Sequence, residues 1–212
     1  MSADRHREHP RFAAAWTVLA GAAERAPVGR WRTETLAPAR GRLLILGSGQ
    51  GHDLAHIPDA VTSAVAVEPD ASMRRRAGAR LRAARVPAVS VGAAGEALPF
   101  PDGSMDTVLC ALVLCSVDDP TRVVAEVRRV LATDGTLLIM EHVRAAAGSR
   151  TARVQQGLER VWPAVTGGCH LTRSTAQVLA DGGFDTSGLR DLGALKILPM
   201  LPVIGGTCVP VR

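Results

Sequence analysis

Three glycines at alternate positions, Gly47, Gly49 and Gly51, directly follow an apolar run at residues 43–46. An α/β protein uses such a turn to bring its backbone against a ligand at the carboxyl end of a strand. The dinucleotide fingerprint G-x-G-x-x-G places its third glycine one residue later, where the following helix holds a pyrophosphate. The shorter spacing, with His52 directly after it, favours a nucleoside ligand without a phosphate to be held, such as S-adenosylmethionine.

Glu68 is the second chemically informative residue. It lies about 20 residues after the glycine turn, at the end of another apolar run at residues 61–67. A carboxylate at this place can accept hydrogen bonds from both ribose hydroxyls of a nucleoside. Dinucleotide-binding and S-adenosylmethionine-binding proteins both use it, so Glu68 supports an adenosine-containing ligand without choosing between them. The alternative is a solvated loop glutamate.

Two histidines are candidates for catalysis. His142 stands at the carboxyl end of a predicted strand, where α/β proteins keep their active sites, and is a candidate base or substrate contact. Its alternative role is to anchor a loop. His170 follows Cys169 in a glycine-bearing turn and is the second candidate. We expect no metal site, because no second pair has ligand spacing to Cys169 and His170, and Cys115 is expected to line a pocket.

Strands and helices alternate around these residues. The predicted helices cover residues 10–37, 71–84, the segment opened by Asp119-Pro120, 144–165 and 172–181. The predicted strands cover residues 43–46, 61–67, 88–91, 106–114, 136–140, 184–192 and 205–211, with a loop at 198–202. This order predicts the α/β class, a Rossmann-like doubly wound, mostly parallel seven-stranded sheet with helices on both faces.

A single domain is expected for the 212 residues, since no repeat or internal boundary is visible. Its expected parts are an N-terminal helical lid at residues 1–40, a cofactor-binding core at 41–143, and substrate-side helices and C-terminal strands at 144–212.

Charge and cysteine content exclude several classes of function. Lys196 is the single lysine among 25 basic residues, which points to GC-rich coding rather than to a functional basic surface. The arginines are scattered without interleaved aromatic residues, so we expect no nucleic-acid partner. No stretch approaches the roughly 18 apolar residues of a membrane span, and no export signal is visible. The four cysteines form no C-x-x-C pair, which predicts free thiols in a reducing cytoplasm. A monomer and a homodimer both remain open.

Two further segments extend the motif set. Residues 93–106 (AAGEALPFPDGSMD) lead into the fourth predicted strand, and residues 112–119 (LVLCSVDD) lead towards residues 127–137 (VRRVLATDGTL). In order and spacing, the glycine turn, Glu68 and these segments resemble class I S-adenosylmethionine-dependent methyltransferases of the ubiquinone/menaquinone-biosynthesis type. The resemblance covers roughly residues 40 to 143.

A closer resemblance reaches the C-terminus. Residues 112–117 (LVLCSV), 140–143 (MEHV) and 168–173 (GCHLTR) look like the methyltransferase-like thiol S-methyltransferases of animal microsomal membranes, and the tail is similar too. The N-terminal anchor of those enzymes has no counterpart in this sequence, which implies a soluble, cytoplasmic relative. Small bacterial relatives cap the thiols of natural products such as dithiolopyrrolones. The resemblance therefore implies methyl transfer from S-adenosylmethionine to the thiol of a small molecule.

The resemblance also implies roles for individual residues. The glycine turn would hold the methionyl part and the ribose, Glu68 the ribose hydroxyls, and the end of the fourth strand the methionyl carboxylate. The implied cofactor-binding residues are Gly47, Ser48, Gly49, Gln50, Gly51, Glu68, Pro69, Met73, Ala94, Gly95, Glu96, Ala111 and Leu112. The apolar substrate pocket would be lined by Phe12, Trp16, Leu114, Cys115 and Trp162.

Two residues depart from the family pattern. Ile45 stands where many members have an acidic residue that binds the methionyl ammonium, and Ala94 stands where many have an aspartate for the adenine amino group. The alternatives are a C- or O-methyltransferase on a quinone or phenol, which would depend on a stronger base, and a cofactor-binding homologue without catalysis.

Overall fold

The computed structural model describes residues 27–195 and 198–211. Phe12 and Trp16, and most of the predicted lid at residues 1–40, lie outside the described residues. The described helices are α1 (Val28–Leu36), α2 (Ala71–Arg82), α3 (Pro120–Val130), α4 (Arg150–Leu158), α5 (Trp162–Val165) and α6 (Thr175–Asp181), with a short 3₁₀ helix at His52–His56. None of them is long and apolar enough to cross a bilayer.

The sheet contains β1 (Gly41–Leu46), β2 (Val61–Val67), β3 (Ala88–Val91), β4 (Met105–Ala111), β5 (Leu131–His142), β6 (Phe184–Asp185), β7 (Leu189–Leu195) and β8 (Leu198–Pro210). The strand order is β3-β2-β1-β4-β5-β8-β6, with β7 also paired to β8. The first five strands pair in parallel and β8 runs antiparallel to β5. The strand order reverses between β1 and β4, which are parallel, so the carboxyl ends of both strands open onto one crevice.

The predicted α/β class with a mostly parallel sheet is confirmed. The sequence predicts seven strands, however, and the described residues form eight. The predicted strand at 184–192 divides into β6 and β7, because the chain turns at Thr186 and Leu189, where a backbone hydrogen bond closes the turn. The predicted loop at 198–202 is instead the first part of β8. Gly205 and Gly206 let β8 pass close to both neighbours, since a Cβ on either would clash with β7 or the turn before it.

Local sequence signals explain the helix starts. Asp70 caps α2 by accepting hydrogen bonds from the backbone N–H groups of Ser72 and Met73. Asp119 caps α3 in the same way, and Pro120 occupies its first turn. The buried face of α3 carries valines at helical spacing: Val123, Val124, Val127 and Val130. The buried hydrophobic residues form two clusters on opposite faces of the sheet. One cluster packs against α3 and α6, and the other packs against α1.

Gln155 joins α4 to the sheet. Its side chain is 1% exposed, donates to the carbonyls of Val143 and Met200, and accepts from the N–H of Ala145. A single amide thereby satisfies three partly buried backbone groups and fixes α4 beside the carboxyl end of β5.

Candidate active site

The glycine turn leaves β1 with three residues in the left-handed region. The φ angles are +62° at Gly47, +52° at Gly49 and +77° at Gly51, which only glycine adopts without strain. A Cβ on Gly47 would clash with the side chain of Val113, so the loop after β4 packs directly against the turn. A Cβ on Gly49 would meet no described residue within 4 Å, so this glycine borders space that the described part of the chain leaves open.

The Glu68 carboxylate is held beside this turn. Its Oε2 accepts the N–H of Gly49 at 2.9 Å and its Oε1 accepts the N–H of Asp70 at 2.9 Å. Arg74 secures the same corner by donating to the backbone carbonyls of Glu68 and Pro69. Burial raises the pKa of Glu68, and the two backbone N–H donors partly oppose that rise. Each carboxylate oxygen retains a lone pair, so the carboxylate can still accept two ribose hydroxyls.

The remaining residues of the predicted cofactor set follow the same edge of the sheet. Met73 is buried on the first turn of α2. A Cβ added to Gly95 would lie only 3.2–3.4 Å from the side chains of Val123 and Leu46, so the Gly95 backbone packs closely against both. Ala94 and Glu96 are half-buried beside it, and Glu96 Oε1 lies 3.4 Å from the N–H of Asp119. The structure thus brings the glycine turn, Glu68 and residues 94–96 to the carboxyl edge of the parallel strands.

The side chain of Ile45 is buried in the hydrophobic core. It is 1% exposed and packs in the cluster that includes Leu109 and Leu138. The position therefore offers no charge at the glycine turn. Ser48, by contrast, is buried in the turn, and its Oγ has no hydrogen-bond partner among the described residues.

The loop after β4 carries the most unusual backbone. Leu112 has φ +56°, the only non-glycine residue with positive φ among those described, and its N–H donates to the carbonyl of Met140 at 2.8 Å. The next two N–H groups, of Val113 and Leu114, both donate to Glu141 Oε1 at 2.8 and 2.9 Å. Glu141 is 0% exposed, and burial raises its pKa to about 7. This carboxylate therefore holds a strained loop in place.

Glu141 was missed as a site residue by the sequence reasoning. The available signal was a carboxylate at the end of an otherwise apolar strand, where a buried charge requires a partner.

Glu141→Leu should cost about 2–6 kcal/mol of unfolding free energy, because it leaves the two loop N–H groups without an acceptor at about 1–3 kcal/mol each. Glu141→Gln keeps an acceptor oxygen and should cost much less. Urea unfolding of the two variants measures the difference. Equal losses in both would contradict the role assigned to the carboxylate oxygen.

Cys115, His142 and Cys169 converge beside this loop. One donor atom from each lies within 4.8 Å of the other two, and Cys169 Sγ is 3.7 Å from His142 Nδ1. Cys115 and His142 are buried and Cys169 is half-buried. The Cys115 thiol, followed by the His142 imidazole, lowers the pKa of Cys169 to about 5 against the opposing effect of burial. The hydrogen bond with Cys169, followed by burial, raises the pKa of Cys115.

His170 has a different environment. Its backbone N–H donates to the carbonyl of Cys115 at 2.8 Å, which brings the two cysteine segments together. Its ring, however, lies 2.8 Å from Glu159 Oε1, and the other oxygen of Glu159 accepts the N–H of Leu171. The ring is thus paired with Glu159, and His142 is the histidine that lies in the cysteine cluster.

The predicted pocket residues separate into two groups. Leu114 is buried in the core beside α3, so it packs within the protein rather than on an open wall. Trp162 begins α5 and is half-buried, and its side chain helps to lower the pKa of the Cys169 thiol by hydrogen bonding. Cys115 and Trp162 therefore remain as described lining candidates.

An ion pair between α1 and the residues after the glycine turn was also missed. Arg32 is 8% exposed and Asp53 4%, and the Arg32 guanidinium bonds directly to the Asp53 carboxylate. The pair fastens α1 to the 3₁₀ helix that follows Gly51. The partners are 21 positions apart, and nothing in the sequence indicated their contact.

Comparisons with known proteins fit this geometry. Residues 44–139 match the family model described as a methyltransferase domain. This match covers 96 of the 212 residues and runs from β1 to β5. The human thiol S-methyltransferase TMT1B is 45% identical over 109 residues, covering 51% of this chain and 45% of that protein. The human thiol S-methyltransferase TMT1A is 40% identical over 105 residues, covering 49% and 43%. The chain spans less than half the length of these curated relatives.

Solved structures share the fold of the domain. The Bacillus subtilis YcgJ protein superposes with a TM-score of 0.69 at 16% identity, covering 85% of this chain and 96% of that one. A geranyl diphosphate C-methyltransferase from Streptomyces coelicolor, solved with S-adenosyl-L-homocysteine, gives 0.68 at 15% identity, covering 85% and 77%. The S-adenosyl-L-homocysteine in that structure is the product form of S-adenosylmethionine, the cofactor that the sequence predicts for this chain.

The residues present fit that cofactor. Among the described residues, nothing fills the space beside Gly49 and nothing pairs with the buried Ser48 Oγ, and the Glu68 carboxylate has capacity for two hydroxyl donors. All three stand at one corner between β1 and β2.

Proposed function

We propose that this protein transfers the methyl group of S-adenosylmethionine to the thiol of a small, largely apolar molecule. The observation that carries the proposal is that the cofactor corner and the cysteine cluster lie at the same edge of the sheet. The cofactor corner at Gly47–Glu68 and the cluster of Cys115, His142 and Cys169 both lie at the carboxyl end of the parallel strands, joined by the loop after β4. The thiol S-methyltransferases among its relatives support the choice of acceptor.

Individual residues of the cofactor corner would each contact a different part of S-adenosylmethionine. Glu68 would accept the ribose hydroxyls, Met73 and Pro69 would contact the adenine, and Ala94 to Glu96 would flank its edge. Ser48 Oγ would accept a hydrogen bond from the methionyl ammonium in place of the carboxylate that Ile45 does not supply. When bound, the cofactor supplies a methyl group on a positively charged sulfonium.

The main task of the residues on the acceptor side would be to position the acceptor thiol. A thiol with a pKa near 8.5 is already a few per cent thiolate at neutral pH and is strongly nucleophilic. Holding it in line with the methyl carbon is worth up to roughly 7–11 kcal/mol of the barrier. Trp162 and Cys115 offer an apolar wall for this purpose, and His142 is the residue best placed to contact the acceptor thiol.

A matched acceptor panel tests the proposal. The protein is incubated with S-adenosylmethionine and either small apolar thiols, including reduced cyclic disulfides, or phenols of the same size. Methyl transfer to thiols is expected, and Glu68→Ala should abolish it. Activity confined to the phenols would instead establish an O-methyltransferase. Binding of S-adenosylhomocysteine without turnover of either panel would indicate a non-catalytic homologue.

A further inference from the structure

The donor set of the cysteine cluster is that of a zinc site. Cys115, His142 and Cys169 offer two sulfurs and one imidazole nitrogen, with all three donor atoms within 4.8 Å of one another. Thiolate and imidazole ligands select Zn²⁺ over oxygen-preferring cations such as Mg²⁺ or Ca²⁺. The three residues come from the loop after β4, the end of β5 and the turn before α6, so no short sequence motif indicates that they form a metal site.

The distances fit a metal of this size. With Zn–S near 2.3 Å and Zn–N near 2.0–2.1 Å, tetrahedral ligand atoms lie about 3.5–3.8 Å apart. Cys169 Sγ and His142 Nδ1 are already separated by 3.7 Å. The remaining pairs, at no more than 4.8 Å, need to close by about 1 Å at most, which side-chain rotation supplies.

The buried imidazole provides an independent observation. His142 is 3% exposed, and its Nε2 has no hydrogen-bond partner among the described residues. Buried polar groups are normally paired, but among the described residues no hydrogen bond through Nε2 holds this ring away from the cluster, and its Nδ1 faces Cys169 Sγ. The backbone bond from His170 to Cys115 fixes the approach of the two cysteine segments, which preorganises the donors around the ring.

We infer that Cys115, His142 and Cys169 bind one Zn²⁺ ion whose fourth position accepts the thiolate of the methyl acceptor. Three protein ligands with one open position are the arrangement of catalytic rather than structural zinc. The second half of this inference rests on the proposed function. It gives His142 the task of a ligand and departs from the expectation of no metal site, since the ligands meet only in the folded chain.

The metal would change the reaction in one respect. A thiol that coordinates zinc gives up its proton to solvent at neutral pH. The lone pair of this sulfur then forms the bond to the methyl carbon, while the bond from that carbon to the sulfonium breaks and its electron pair stays on the departing thioether. The methylated acceptor is itself a thioether, a weaker ligand than a thiolate, so it can leave the metal.

Metal binding can be measured without cofactor or acceptor. The full chain, purified reduced and without a metal-chelating tag, is loaded with Zn²⁺, desalted and analysed by atomic emission. We expect one zinc per chain. With Co²⁺ in its place we expect thiolate-to-cobalt charge-transfer bands and the intense visible bands of four-coordinate cobalt. A small apolar thiol should shift these bands, and a matched phenol should not.

Matched variants locate the ion. Cys169→Ser, Cys115→Ser and His142→Asn should each weaken zinc binding at least about hundredfold, more than loss of an outer-shell partner costs. Cys208→Ser, a buried cysteine outside the cluster, should retain it. Affinity for S-adenosylhomocysteine, measured on every variant, reports whether the fold is intact.

Three outcomes would overturn the inference: less than stoichiometric zinc on the folded wild-type chain, full retention by the ligand variants, or equal loss in Cys208→Ser. Zinc binding with no spectral response to thiols would overturn the open-position part. Stoichiometric zinc together with methylation of phenols alone would refute the proposed function and leave the metal site standing.

Discussion

Glu68→Ala should weaken binding of S-adenosylhomocysteine by about 10²–10⁴-fold. The carboxylate would form two hydrogen bonds with ribose hydroxyls, and bonds to a charged group are worth about 1.5–3 kcal/mol each. The variant also frees the N–H groups of Gly49 and Asp70, so the glycine turn loses its fixed position. Isothermal titration calorimetry with S-adenosylhomocysteine measures the loss.

Two controls separate the role of Glu68 from a general effect of charge. Asp118→Ala removes an exposed carboxylate from the loop before α3 and should leave the affinity unchanged. Glu68→Gln keeps the shape and one acceptor oxygen, so its affinity should fall between that of the wild type and that of the alanine variant. Wild-type affinity in Glu68→Ala would show that the ribose is held elsewhere.

Arg32→Ala should lower the free energy of unfolding by about 3–5 kcal/mol, because it leaves the Asp53 carboxylate buried without its guanidinium. For a chain of this length the corresponding fall in Tm is about 6–20 °C. Thermal and urea unfolding measure both quantities. The loss should be accompanied by weaker cofactor binding, since Asp53 stands directly after the glycine turn.

The same helix provides the matched control. Arg30 and Glu34 form an exposed pair at 3.5 Å, and Arg30→Ala should change stability by no more than about 1 kcal/mol. The double replacement Arg32→Met with Asp53→Leu removes both buried charges and should recover much of the loss. A double variant as unstable as Arg32→Ala would show that the pair acts through other contacts of these residues.

The cofactor corner could be predicted because its signals are local. A glycine turn after an apolar strand and a carboxylate at the end of the next strand each follow from a few consecutive residues. Parallel pairing of β1 with β2 then places the two ends side by side. The same holds for the helix starts at Asp70 and Asp119, where the cap and the N–H groups it accepts lie within three residues.

The acceptor side could not be predicted in this way. The pairing of Glu141 with the loop after β4 joins residues 27 and 28 positions apart, and Gln155 reaches a carbonyl 45 positions away. The sequence offers both His142 and His170 as candidates, with His142 first. Only the structure shows His170 against Glu159 and His142 against Cys169.

The sequence by itself determined the fold class, the glycine turn and the Glu68 carboxylate, because short-range periodicity, backbone freedom and strand ends dictate them. The tertiary structure alone decided which sulfur meets which imidazole, how the Arg32 charge is neutralised and which carboxylate holds the loop after β4. These contacts depend on the crossing of distant segments, whose separation along the chain carries no information about their distance in space.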